Sequence, residues 1–228
     1  MTSPTAVAAE WARYRRAGRR EGVVPALTLL CESAGALPCG PAGHAVVPGD
    51  LVGTFGSAWA AGRIAPRSAG LETVLETLPV EGGTVVAVKN AAEPPAGAGP
   101  APVEAWALGL TWLRLGLSER IFDAAFAYLN GRTVGDAKLL QQQMIKGDVA
   151  EVLIEHLEIE TLLDGAVPGE LGHNTLADLN TQITRADRMG LRLLGASSFL
   201  QDGPGQVARV SELLADAYIG PAHDGEST

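Results

Sequence analysis

Histidine and cysteine are the side chains best suited to hold a metal or to act as base or nucleophile, and here they are too scattered to do either together. His44, His156, His173 and His223 stand alone, with no HxxxH, HExxH or CxxC spacing, so no metal site is expected. His156 shares an apolar helical stripe, beside Glu155 and four residues before Glu160, which reads as an interior histidine satisfied by a hydrogen bond. Cys31 and Cys39 lie eight apart behind a twenty-residue start holding five arginines and no apolar run. They are expected to be reduced thiols in a cytoplasmic protein. Neither GxSxG nor a phosphate-cradling GxGxxG or GxxxxGK[ST] occurs, and Gly53-Thr54-Phe55-Gly56 reads as loop. Acidic residues are plentiful on the C-terminal helices, but no spacing singles out an acid/base pair.

The elements that must position any site divide the chain in two. Residues 1–100 carry eight basic and eight acidic side chains, whereas residues 101–228 carry nine and eighteen. The formal charge of -9 on 228 residues is therefore C-terminal, and it argues against a nucleic-acid partner. The most apolar stretch, 101–117, is broken by Glu104 and Arg114, too short for a bilayer span. Ala91–Pro102 has four prolines and two glycines in twelve residues and reads as a linker. The expected organisation is a small mixed α/β region over residues 1–100, a four-helix bundle over 101–221 and a tail over 222–228, giving a mainly α protein.

Before the linker, helices are expected at 5–20 and 69–78 and strands at 44–47, 51–55 and 84–89, with 22–66 otherwise punctuated by Gly and Pro. Arg13, Arg15, Arg16, Arg19 and Arg20 read as a solvated basic helix face. After it, 103–129 is apolar nearly all round, as a central bundle helix would be. Ile145, Val149, Val152, His156, Ile159 and Leu163 are spaced four, three, four, three, four, predicting a packed helix over 136–163 flanked by solvated Glu155, Glu158 and Glu160. Leu176, Leu179, Ile183, Ala186, Gly190 and Leu193 repeat the pattern, with Thr175 and Asp178 placed as a capping box and Gly190 where another backbone can approach. A fourth helix is predicted over 207–218.

Within residues 103–221, about half the chain, a set of positions resembles the C-terminal helical domain of the flavin-dependent acyl-CoA dehydrogenases. They are Leu115-Gly116, Asp123 and Tyr128, then Gly135 and Gln142 at the family spacing of seven, then Val149-Ala150-Glu151. The last part aligns without a gap: Gly195-Ala196-Ser197-Ser198-Phe199 on GGxGF, Pro204 on a proline, and Tyr218-Ile219-Gly220-Pro221 on the Y-E-G-T turn. The resemblance implies FAD shared across subunits, with Arg132, Gly135, Gln142, Gly195 and Ser197 as the cofactor-contacting positions. It also implies an acyl-thioester substrate and an oligomer, either with itself or with a full-length dehydrogenase-like chain.

The departures bear on chemistry. The glutamate that removes the α-proton in many members falls on Ile219. The alternative base position of other members, in the first bundle helix, falls on Trp106, with Glu104 two residues and about 200° away. Val210-Ser211 replaces Arg-Asp, Gly131 takes the place of an arginine with Arg132 one residue on, and Arg192 replaces a glutamine. The N-terminal region lacks the family's flavin-contacting TEPxxGSD-like loop and WIT-like strand. The resemblance thus implies a truncated, non-catalytic or half-site subunit in which FAD is retained or lost. Two enzyme readings stand beside it: non-redox acid/base chemistry on an acyl-thioester or polyketide-like ligand through Glu104 or His156, and an active dehydrogenase with a displaced base.

Overall fold

The computed structural model describes residues 4–93, 96–135, 137–199 and 203–220. Pro94-Pro95 of the linker, Asp136, Pro221, His223 and the expected tail lie outside them. Helix α1 (Pro4–Arg20) leads into α2 (Val23–Ala34). A three-stranded antiparallel sheet follows in the order β1 (His44–Pro48), β5 (Gly83–Asn90), β4 (Glu72–Val80), together with a hairpin of β2 (Ser57–Ala60) and β3 (Arg63–Pro66). The bundle helices are α3 (Val103–Gly131), α4 (Gln143–Leu163), α5 (His173–Leu194) and α6 (Pro204–Tyr218), with a short hairpin of β6 (Thr133–Val134) and β7 (Ala137–Lys138) between the first two.

Several sequence expectations change. Residues 72–80 form strand β4 instead of a helix, paired to β5 from Glu72↔Asn90 to Val80↔Gly83. Thr73, Val74, Thr77 and Val80 favour that pleat, and Pro79 needs no donor on a strand paired on one side only. Residues 51–55 are turn, held by Val52 N–H to the Gly49 carbonyl (3.3 Å) and Thr54 N–H to that of Leu51 (3.0 Å); the strand starts at Ser57. Helix α2 was masked by Pro25, which sits in its first turn where a backbone donor has no helical partner. Helix α4 begins at Gln143, after the β6–β7 hairpin, and α5 begins at His173 with Gly172 as N-cap and no side-chain cap, so Thr175 caps nothing. Gly190 faces the Ile121 side chain, not a backbone.

The central α3 is buried through most of its length, and α1 lies along it. Two glycines set that approach: a Cβ at Gly18 would stand 2.8 Å from the Leu113 carbonyl oxygen, and one at Gly116 would collide with the Arg15 carbonyl. The arginines expected to be solvated instead cross to acidic partners on the bundle. Arg15 bonds Glu119 (2.9 and 2.6 Å) and Glu160, and Arg19 bonds Asp123 (2.8 and 3.0 Å). Of the three glutamates expected in solvent, Glu158 is exposed, Glu160 is held by Arg15, and Glu155 is half-buried with Arg185 at 3.7 Å. One continuous apolar core runs from Trp11 through Val85 and Leu113 to Ile219, so residues on both sides of the linker share it. Gly116→Ala is expected to force α1 away from α3 and to destabilise the fold by about 1–3 kcal/mol, read as a fall in the denaturant midpoint.

Candidate functional site

The five positions that the family resemblance aligns with cofactor contacts lie toward one end of the bundle. A cluster of Ala125, Leu129, Leu193 and Leu194, with Leu139, Leu140 and Ile145 packed on it, ties the C-terminal ends of α3 and α5 to the start of α4. Arg132 is the C-cap of α3, its guanidinium 4.5 Å over the Tyr128 ring. Gly135 turns the β6–β7 hairpin with φ 61°, a conformation glycine reaches without steric cost. Gln142 is the N-cap of α4, and Gly195 is the C-cap of α5 with φ 56°. Ser197 follows in the 3-10 turn, where Ser198 donates to the Gly195 carbonyl (2.7 Å). Beside Gly195 lies a cavity of about 440 Å³ lined by Arg192, Gly205, Gln206 and Arg209. Arg209 also reaches Glu76. The two guanidiniums, that of Arg209 shared with Glu76, are groups suited to an anionic phosphate.

Glu104 and His156 lie elsewhere. Glu104 is exposed in the first turn of α3, its carboxylate against Gly169; 28 residues of helix separate it from Arg132, about 42 Å. His156 is buried, its Nε2 2.8 Å from Ser118 Oγ.

No local sequence pattern marks the polar groups buried near that histidine. Arg114 is wholly buried and donates to Ser211 Oγ (3.1 Å), Asn180 Oδ1 (2.7 Å) and Thr184 Oγ1 (2.9 Å). Ser211 donates to Asp187 Oδ2 (3.1 Å), so one buried polar chain runs Arg114–Ser211–Asp187, with the Ser118–His156 pair as a second buried polar contact in the bundle. Burial raises Asp187 to about 6 against the pull of Arg114, and burial lowers His156 to about 4. Cys31 and Cys39 are free buried thiols, Cys39 raised to about 11 by burial.

A second assembly closes the far end of α6. Tyr218 is buried, its hydroxyl accepting from Val46 N–H (2.9 Å) and lying 3.2 Å from the Pro38 and Val46 carbonyls. Its ring meets Trp106 edge-on at 5.0 Å, and Trp106 meets Trp59 at 5.6 Å. Ile219 is buried beside them, and Gly40 lies so close that a Cβ there would collide with the Ala217 carbonyl.

No protein-family model and no curated protein matches the sequence, but solved structures do. The butyryl-CoA dehydrogenase of Megasphaera elsdenii matches 81% of this chain and 59% of its own at 14% identity, TM-score 0.53. An FAD-dependent dehydrogenase matches 79% and 60% at 14% identity, TM-score 0.54. The ChsE4-ChsE5 complex of Mycobacterium tuberculosis matches 74% and 52% at 16% identity, TM-score 0.55. The chain has an acyl-CoA dehydrogenase-like fold. It spans a little over half the length of these structures. On this acyl-CoA dehydrogenase-like fold, Trp106 and Ile219, the two positions on which the family resemblance places a base, are 113 residues apart in sequence, yet Trp106 packs edge-on against Tyr218, the neighbour of Ile219. Both positions are apolar and buried. Among the described residues no cluster of three or more potential metal ligands occurs, and no helix is long and apolar enough to cross a membrane.

Proposed function

We propose that this chain is a non-catalytic, half-site subunit of an acyl-CoA dehydrogenase-like assembly, contributing one end of its bundle to a FAD carried by another chain. The observation that carries this reading is the sealed Trp59–Trp106–Tyr218 cluster with Ile219. Removing an α-proton needs a carboxylate or comparable base within hydrogen-bond reach of it, and an indole and an isoleucine in an apolar core offer none. Glu104, on solvent at the start of α3, and His156, enclosed by Ser118 and Phe122 (ring centroids 6.0 Å), do not open onto that place.

The opposite end supports the cofactor half of the proposal. Arg192, Gly195, Ser197, Arg132 and Gln142 would hold the phosphate-bearing portion of FAD, whose flavin supplies hydride acceptance when bound. The residues' own work there is to bind and orient an anion. An FAD-dependent dehydrogenase and the ChsE4-ChsE5 complex among the structural neighbours are consistent with such sharing. An absorbance scan from 300 to 550 nm tests the reading: the purified chain is expected to be colourless and to stay so after FAD addition and desalting. Flavin bands at near-stoichiometric occupancy, with dehydrogenation of an acyl thioester by the chain alone, would overturn it.

A further inference from the structure

Helix α4 carries two apolar seams. The first, from Ile145 to Leu163, packs into the bundle. The second runs Gly147, Ala150, Ile154, Leu157, Thr161, with the same three-four spacing, about 150° around the helix from the first. It is exposed: Ile154 is 54% and Leu157 60% accessible, with Leu153 alongside at 45%. A helix apolar on two faces is normally buried on both, and a three-four repeat that starts on small residues suits a second helix laid against it.

Charge decides between occupants. One flank of the seam holds Glu151 and Glu158, both exposed and neither in an ion pair within the described chain. The other flank holds Lys146, and Glu160 already engaged by Arg15. A second copy laid antiparallel across the seam, centred between Ile154 and Glu155, would set Glu151 of each copy against Glu158 of the other. Such like-charge contacts suppress the wrong partner, and residues 101–228 add an excess of nine acidic groups to the repulsion.

We infer that this seam docks a helix of a different protein chain, apolar at three-four spacing and flanked by lysine or arginine opposite Glu151 and Glu158. The inference rests on the assembly part of the function proposed above and not on its flavin part.

The test uses the full chain without flavin and two synthetic helical peptides that share one leucine/isoleucine heptad seam, one flanked by lysine and one by glutamate. Binding is followed by fluorescence anisotropy, and oligomeric state by light scattering. The lysine-flanked peptide is expected to bind, more weakly as salt rises, while the glutamate-flanked one does not. Leu157→Asp is expected to weaken binding about tenfold or more. A Glu151→Lys, Glu158→Lys double variant, altered only at exposed positions, is expected to reverse the preference. Equal affinity for both peptides, no binding of either, or a wild-type oligomer that Leu157→Asp dissociates would each overturn the inference. The last outcome would give the seam to a second copy. Because no flavin is present, these outcomes are separate from failure of the half-site reading, which would appear as flavin bands on the chain alone.

Discussion

Replacing Arg114 by methionine is expected to destabilise the protein by about 3–5 kcal/mol, the range for removing one partner of a buried charged pair. The guanidinium is fully buried and feeds Ser211, Asn180 and Thr184, and through Ser211 it reaches Asp187. Burial lowers Arg114 only to about 10, so it remains a cation at neutral pH and the compensating charge of Asp187. Methionine fills most of the volume, leaves the acceptors on Ser211, Asn180 and Thr184 without their donor, and leaves the Asp187 carboxylate without its compensating cation. Asp187 Oδ1 is already a buried oxygen with no hydrogen-bond partner, so the site has no slack. A double-mutant cycle separates charge from packing: adding Asp187→Leu to Arg114→Met is expected to recover a large share of the loss, because two apolar groups leave no stranded charge. Urea unfolding midpoints at constant slope measure it. Simple additivity of the two losses would show that Arg114 acts through packing alone.

The bundle was legible because α4 and α5 carry their buried residues at helical spacing. On α4 the four-three repeat predicted the face that holds Val152, His156, Ile159 and Leu163 in the core. Short elements of the N-terminal region were harder. Pro25 disguised a helix that tolerates it, and Glu72–Val80 alternates too weakly to show a strand whose outer face is exposed. Partners more than a hundred residues apart, such as Arg15 with Glu119 or Tyr218 with Val46, leave no local pattern, so the basic face of α1 looked solvated. The same limit governed the site. Ile219 and Trp106 could be named as departures from a resemblance, but the packing of Trp106 on Tyr218, next to Ile219, exists only in three dimensions. Arg114 looked like a break in an apolar run, with nothing nearby in sequence to reveal Asp187, Ser118 and His156 around it.

The buried Asp187 and His156 also set an expected pH response. Asp187 is raised from 3.8 to about 6, so its protonated form favours the fold. This contribution is fully present below pH 3.8 and lost as pH rises through about 6. His156 is lowered from 6.5 to about 4, its neutral form favouring the fold, so its contribution is present above pH 6.5 and lost as pH falls through about 4. Each shift spans a little over two units, roughly 3 kcal/mol at 1.36 kcal/mol per unit. The two act over one window with opposite sign, so their sum changes by no more than about 1 kcal/mol between pH 4 and 6.5. Single variants should therefore expose what the wild type conceals. Asp187→Asn removes the acid-favoured half, and its stability relative to wild type is expected to fall by about 3 kcal/mol as pH drops from 6.5 to 4. His156→Gln removes the other half and is expected to gain by a similar amount over the same drop. The groups facing His156, namely Glu119, Asp123, Arg15 and Arg19, and those facing Asp187, Arg114 and Glu212, are common to all three proteins and cancel in the difference. Unfolding midpoints at half-unit pH steps give the three curves. Parallel curves would mean that neither group changes protonation on folding, and that Asp187 and His156 hold the bundle by hydrogen bonding alone.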